Sequence, residues 1–117
     1  MPKPDASNIL DSLYDVIVQR RDNPAEDSYV SSLFSRGLDK ILSKIGEEAT
    51  ETAIAGKGGN PDEVVGETAD LLFHVLVLLG HYDLPPSLIL EELGRRFGIS
   101  GLEEKKSRQS SENYELS

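Results

Sequence analysis

The 117-residue chain contains no cysteine. That absence excludes disulfide frameworks, thiolate zinc sites and cysteine nucleophiles together, and leaves oxygen and imidazole as the strong metal ligands. Any metal held by this sequence is therefore expected to be hard, magnesium or manganese. Positive charge is scarce as well: 12 Lys and Arg stand against 21 Asp and Glu, a net charge of −9. Binding to a nucleic-acid backbone draws on Lys and Arg displacing counterions, so no nucleic-acid partner is expected. A phosphate-bearing partner would need a metal or a local basic cluster to reconcile the charges. Long apolar runs are also missing. The longest, LLFHVLVLLG, is interrupted by His74 and is shorter than the roughly 20 residues that cross a bilayer, so it reads as core and no membrane partner is expected. The N-terminus, MPKPDASNILDSLYDVIVQRR, lacks the charged start, apolar run and cleavage site of a signal peptide, so a cytoplasmic location is expected.

The length suits one domain, placed at residues 1–108, with a polar tail at 109–117. Asp5 or Ser7 can cap a first helix whose Ile9, Leu10, Leu13, Val16 and Ile17 follow the helical period until RRDNPAED breaks it near Arg21. Ser28 can cap a second helix, in which Leu38, Ile41, Leu42, Ile45, Ala49 and Ala53 form one stripe and Gly46 is the weak internal position. In GKGGNPDEVV the glycines stop that helix, while Asn60, Pro61 and Glu63 match an N-cap, a first-turn proline and a capping-box acid. The third helix, starting at Pro61, is apolar nearly all round between Val64 and Leu79, which implies burial among several helices. DLPPSL restarts the chain into a fourth helix over about 86–97, followed by EEKKSRQSSENYELS. Neither a repeat nor a strand alternation is present, so the expected fold is all-α, a four-helix bundle. Three short helices give the third too little cover, and a homodimer or higher homo-oligomer would supply the missing surface.

KIGEEATE places Glu47, Glu48 and Glu51 within five positions of one another. At spacings of three and four they share a helix face, where like charges repel. Their bland reading is a solvated face paired with Lys40 and Lys44. The third helix repeats the pattern: Glu63, Glu67, Asp70 and His74 form a polar stripe on an apolar rod. An ionised carboxylate beside Leu71, Leu72 and Phe73 loses hydration and calls for a cationic neighbour. If the two helices form an antiparallel hairpin, Glu48 and Glu51 approach Glu67 and Asp70 across one groove, and a divalent cation resolves the repulsion.

These segments carry a resemblance. KIGEEATE followed by VGETADLLFHVLVLL resembles the GEExxE and ExxD motifs of the MazG-type all-α nucleotide pyrophosphatases. SYVSSLFSRGLDKILSKIGEEATE and RRFGISGLEEKKSR further resemble the phosphoribosyl-ATP pyrophosphatase family of histidine biosynthesis, over about residues 28–108. The resemblance implies a MazG-like dimeric or higher assembly and Mg2+-dependent hydrolysis of phosphoribosyl-ATP to phosphoribosyl-AMP and pyrophosphate, with Mn2+ a possible substitute. Carried over by motif, Glu48, Glu51, Glu67 and Asp70 are the metal ligands. Glu47 and Glu48 are the catalytic candidates, Glu47 as a further ligand, a water-orienting group or a base.

Lys40 and Lys44 read equally as phosphate contacts and as surface partners of the acids. GKGG lacks the spacing of a phosphate loop and reads as a helix stop from which Lys57 can reach substrate. His74 is a candidate substrate contact, against the commoner reading of a hydrogen-bonded core histidine. Tyr29, Leu33 and Phe34 suit either the core or an apolar entrance for a purine. Arg95 and Arg96 meet the dipole at the close of the fourth helix. Two alternatives stand beside this reading, a house-cleaning pyrophosphatase with another base pocket and a non-catalytic helical dimerisation module.

Overall fold

The computed structural model describes residues 8–98, and the regular elements among them are all helices. In order these are α1 (Ile9–Asp22), α2 (Tyr29–Arg36), α3 (Leu38–Gly58), α4 (Pro61–His81) and α5 (Pro86–Phe97). They fall into two units divided between Pro85 and Pro86, α1–α4 in one and α5 in the other. The expected caps Asp5 and Ser7 and the tail at 109–117 lie outside the described residues.

The expected all-α class holds, with five helices among the described residues in place of the expected four. The second helix of the sequence reading is divided at Gly37, whose φ of 97° and ψ of 178° belong to backbone that only glycine adopts readily. The Gly37 N–H closes α2 on the Leu33 carbonyl at 3.0 Å, and its own carbonyl opens α3 by accepting from Ile41 at 3.2 Å. Gly46 stays helical, because an exposed glycine inside a helix costs only about 1 kcal/mol and α3 continues through it. The starts of α2 and α4 follow the expected chemistry, while α1 opens on Asn8, which makes no side-chain cap hydrogen bond. Ser28 caps α2 by accepting from the Ser31 N–H at 3.1 Å, and Asn60 caps α4 by accepting from the Asp62 N–H at 2.9 Å. Between α3 and α4, Gly59 takes the left-handed conformation at φ 85°.

Ile17 of α1, Leu33 of α2, Ile41 of α3 and Val77 of α4 are the most completely buried side chains of this unit. Each contributes roughly 1.5–3 kcal/mol by leaving water. Two polar ties close the same end. The Arg21 guanidinium donates to the Gly80 carbonyl at 2.5 Å and to Asp83 Oδ1 at 2.7 Å, joining the end of α1 to the end of α4. The buried Ser31 hydroxyl donates to the Arg20 carbonyl at 3.0 Å and accepts from the Ala25 N–H at 3.1 Å, fixing the turn into α2.

By length and composition alone α4 would also suit a membrane span, although its apolar run read as too short. Within the protein its C-terminal half, His74, Leu76, Val77, Leu79 and Gly80, is buried. The all-round burial expected of this helix stops there. Nearer the hairpin connection, Val65 is 68% exposed and Ile54 of α3 is 65% exposed.

Candidate active site

The turn at Gly59 and Asn60 folds α4 back along α3. Facing residues run in opposite order along the two helices, Thr52 with Glu67 and Glu48 with Asp70, which is the antiparallel hairpin expected from sequence. Glu48, Glu67 and Asp70 thereby each bring a carboxylate oxygen within 4.8 Å of the others. Glu48 is the innermost, only 7% exposed, while Asp70 opens to solvent. Glu51 meets Glu67 one turn further along, and the two border a cleft of about 480 Å3 floored by Ile54, Ala55 and Gly66.

The electrostatics of this cluster are unresolved by protein groups. Desolvation pushes the Glu67 carboxyl up, and a hydrogen bond shared with Glu51 and the charges of Glu51, Asp70 and Glu48 push it the same way. Each of these effects disfavours ionisation. Among the described residues Lys44 is the cation that pairs with this cluster, with Nζ 3.6 Å from Glu48 Oε2. The donor set fits a hard divalent cation, since it consists of carboxylate oxygens with an open solvent side.

Glu47 lies outside this three-carboxylate cluster. Its Oε1 accepts from Lys44 Nζ at 3.4 Å and its Oε2 from the Ser43 hydroxyl at 3.3 Å. The Lys44 hydrogen bond, with the Lys44 charge, holds the Glu47 carboxyl below its usual range. For Lys44 itself desolvation works downward, but Glu47, Tyr29 and Glu48 outweigh it and the ammonium is raised. Lys40 stands one turn before Lys44, close enough for its charge to act on Glu47. Lys57 sits in the last turn of α3, about 9 Å of helix rise beyond Glu51.

His74 is 5% exposed and both its ring nitrogens are engaged. Nδ1 is 2.7 Å from the Asp70 carbonyl, which can only accept, so Nδ1 carries a proton. In the neutral ring Nε2 then accepts from the Tyr29 hydroxyl, 2.8 Å away. Phe73 and Tyr29 enclose the ring, with centroids at 5.0 and 5.7 Å. The structure thus places His74 beside the site without a free nitrogen turned towards it, and Tyr29, half exposed, is the member of this layer that reaches the surface. Leu33 belongs to the core, with Phe34 against it.

Thr52 went unnoticed in the sequence. Its hydroxyl oxygen lies 2.7 Å from the Glu48 carbonyl and 3.1 Å from the Glu67 carbonyl. The four-residue step from Glu48 signals the first contact; the second needs the register of the hairpin.

The model of the phosphoribosyl-ATP pyrophosphohydrolase family matches residues 10–97. Among similar proteins, the phosphoribosyl-ATP pyrophosphatase of Geobacter sulfurreducens is 60% identical, over 86% of this chain and 94% of that protein. That of Geotalea daltonii is 58% identical over 86% and 95%, and that of Burkholderia thailandensis 49% identical over 98% of both. The acidic hairpin lies wholly inside the matched region, and the chain belongs to the phosphoribosyl-ATP pyrophosphohydrolase family.

Proposed function

We propose that this chain hydrolyses phosphoribosyl-ATP to phosphoribosyl-AMP and pyrophosphate, the second step of histidine biosynthesis, at the α3–α4 groove. The observation that carries the reading is the convergence of Glu48, Glu67 and Asp70 within 4.8 Å in a chain of this family. In this reading these three, with Glu51 at the edge, hold Mg2+. Bound there, the cation supplies charge neutralisation for the phosphates and acidifies water for attack.

The protein's own groups bind and orient. Lys44 and Lys40 lie one and two turns before Glu48 on the same helix, and they offset phosphate charge that the carboxylates repel. Lys57 serves the outer end of the cleft. Glu47, kept ionised by Lys44 and outside the cluster, is the acid left over to orient water and accept its proton. Glu48 acts as a ligand. His74, with both nitrogens occupied, contributes by holding Tyr29 at the rim.

The uncovered Ile54, which lines the cleft, and the uncovered Val65 of α4 suit a second copy of the chain, giving a cytoplasmic homodimer. Val65→Asp should then shift the sedimentation coefficient to that of a monomer, and an unchanged coefficient would rule out this interface. The activity is tested by pyrophosphate release from phosphoribosyl-ATP with and without Mg2+, beside ATP, dUTP and dCTP. Metal-dependent turnover of phosphoribosyl-ATP alone is expected. Preference for another triphosphate would refute the substrate, and turnover undiminished by chelator would refute the metal.

A further inference from the structure

We propose that Thr52 is a positioning residue for the metal ligands, a role that rests on the reading of Glu48, Glu67 and Asp70 as a cation site. Its hydroxyl sits where α3 and α4 face each other, and one oxygen touches the main chain of two of the three residues concerned. The 2.7 Å contact to the Glu48 carbonyl lies within α3. The 3.1 Å contact to the Glu67 carbonyl crosses to α4.

A threonine inside a helix commonly turns its hydroxyl back to the carbonyl four residues earlier, and that bond alone would imply nothing. The crossing contact is different in kind. A carbonyl has two lone pairs, and inside a helix the N–H four residues later occupies one of them. The Thr52 proton is thus shared, in a three-centre bond, between the spare lone pairs of two helices. It pins the axial register of α3 against α4 at the level where Glu48 must meet Glu67 and Asp70.

The need for such a pin follows from the charges. Before a cation arrives, Glu48, Glu67 and Asp70 repel one another across the groove, and from this level to the connection the buried side chains of α3 are Glu48 itself and the small Ala55, in place of the large apolar side chains that clamp the other end. A neutral donor between the backbones opposes separation without adding charge or occupying a carboxylate oxygen. The ligands are held near their bound spacing in advance, which lowers the cost of ordering them on metal. Valine has the shape of threonine without the hydroxyl. It keeps the van der Waals contact and loses the tie.

The test is Mn2+ and Mg2+ binding to the full-length, metal-free protein, by calorimetry, for wild type, Thr52→Val, Thr52→Ser and Thr52→Ala, with Glu48→Gln as the site control and thermal melting alongside. Thr52→Val and Thr52→Ala are expected to raise the dissociation constant about tenfold, and Thr52→Ser to stay within about twofold of wild type. Ser and Ala differ only by the hydroxyl, so that pair decides the matter if valine perturbs folding. Equal affinity in the Ser and Ala variants, even with a lowered melting temperature, would reduce Thr52 to a structural residue and overturn the proposal. Wild-type affinity matched by Glu48→Gln would instead refute the cation site, and the role of Thr52 would fall with it.

Discussion

The two ends of the α3–α4 hairpin are built from similar residues and do opposite things. At the far end, Ile41 of α3 and Val77 of α4 are sealed from solvent by Ile17 of α1 and Leu33 of α2. Nearer the connection, Ile54 and Val65 are equally apolar and stand exposed, Ile54 lining the cleft with Glu51 and Glu67. The difference comes from the chain's topology, because α1 and α2 cover only the far end. One end supplies rigidity through burial. The other keeps like charges close together, a stored electrostatic tension that a cation can use.

Substitutions should separate these two jobs. The largest effect is expected at the acidic end, where Asp70→Asn or Glu48→Gln should lower kcat/KM by at least about a hundredfold, read as pyrophosphate release. Metal-free stability should hold or rise, because a repulsive charge has been removed. Leu33→Ala should do the reverse. Emptying a site in the core costs about 2–5 kcal/mol, seen as a lower urea midpoint, with the remaining folded protein retaining its kcat/KM. A hundredfold activity loss in Leu33→Ala at full foldedness would mean that the two ends are not independent.

The smallest effect lies in α5, which forms a unit separate from the hairpin. Arg95 and Arg96 hydrogen bond to Glu92 and hold its carboxyl at about 2. A depressed carboxylate contributes stability that is fully present above its unfolded value near 4.5 and is lost as pH falls through about 2. Helical circular dichroism of Glu92→Gln should therefore lose part of its pH dependence in that window, with activity at neutral pH unchanged.

Much of the candidate site's arrangement was legible because its grammar is local. The three- and four-residue steps of Glu48, Glu51, Glu67 and Asp70 fix which face each occupies, and GKGGNP fixes where the chain reverses. The division at Gly37 was not legible: helical periodicity continues on both sides of it, and only the backbone angle reveals the turn. The exposure of Val65 was hidden for a related reason, since periodicity marks an apolar face without saying what covers it. His74 lay in the polar stripe by register, yet register does not tell whether a ring nitrogen faces substrate or, as here, the Asp70 carbonyl and Tyr29. Thr52 required the alignment of two helices that sequence spacing leaves free.

The most direct measurement is the melting temperature of the wild type and of Glu48→Gln, each with Mg2+ at about a hundred times the wild-type dissociation constant and with chelator. A cation bound at that excess stabilises by about 2.7 kcal/mol, so Mg2+ should raise the wild-type melting temperature by several degrees. Glu48→Gln should show no such rise and should melt, in chelator, no lower than the metal-free wild type. An equal rise in both proteins, or none in either, would contradict the view that the acidic end of the hairpin is held together by a metal.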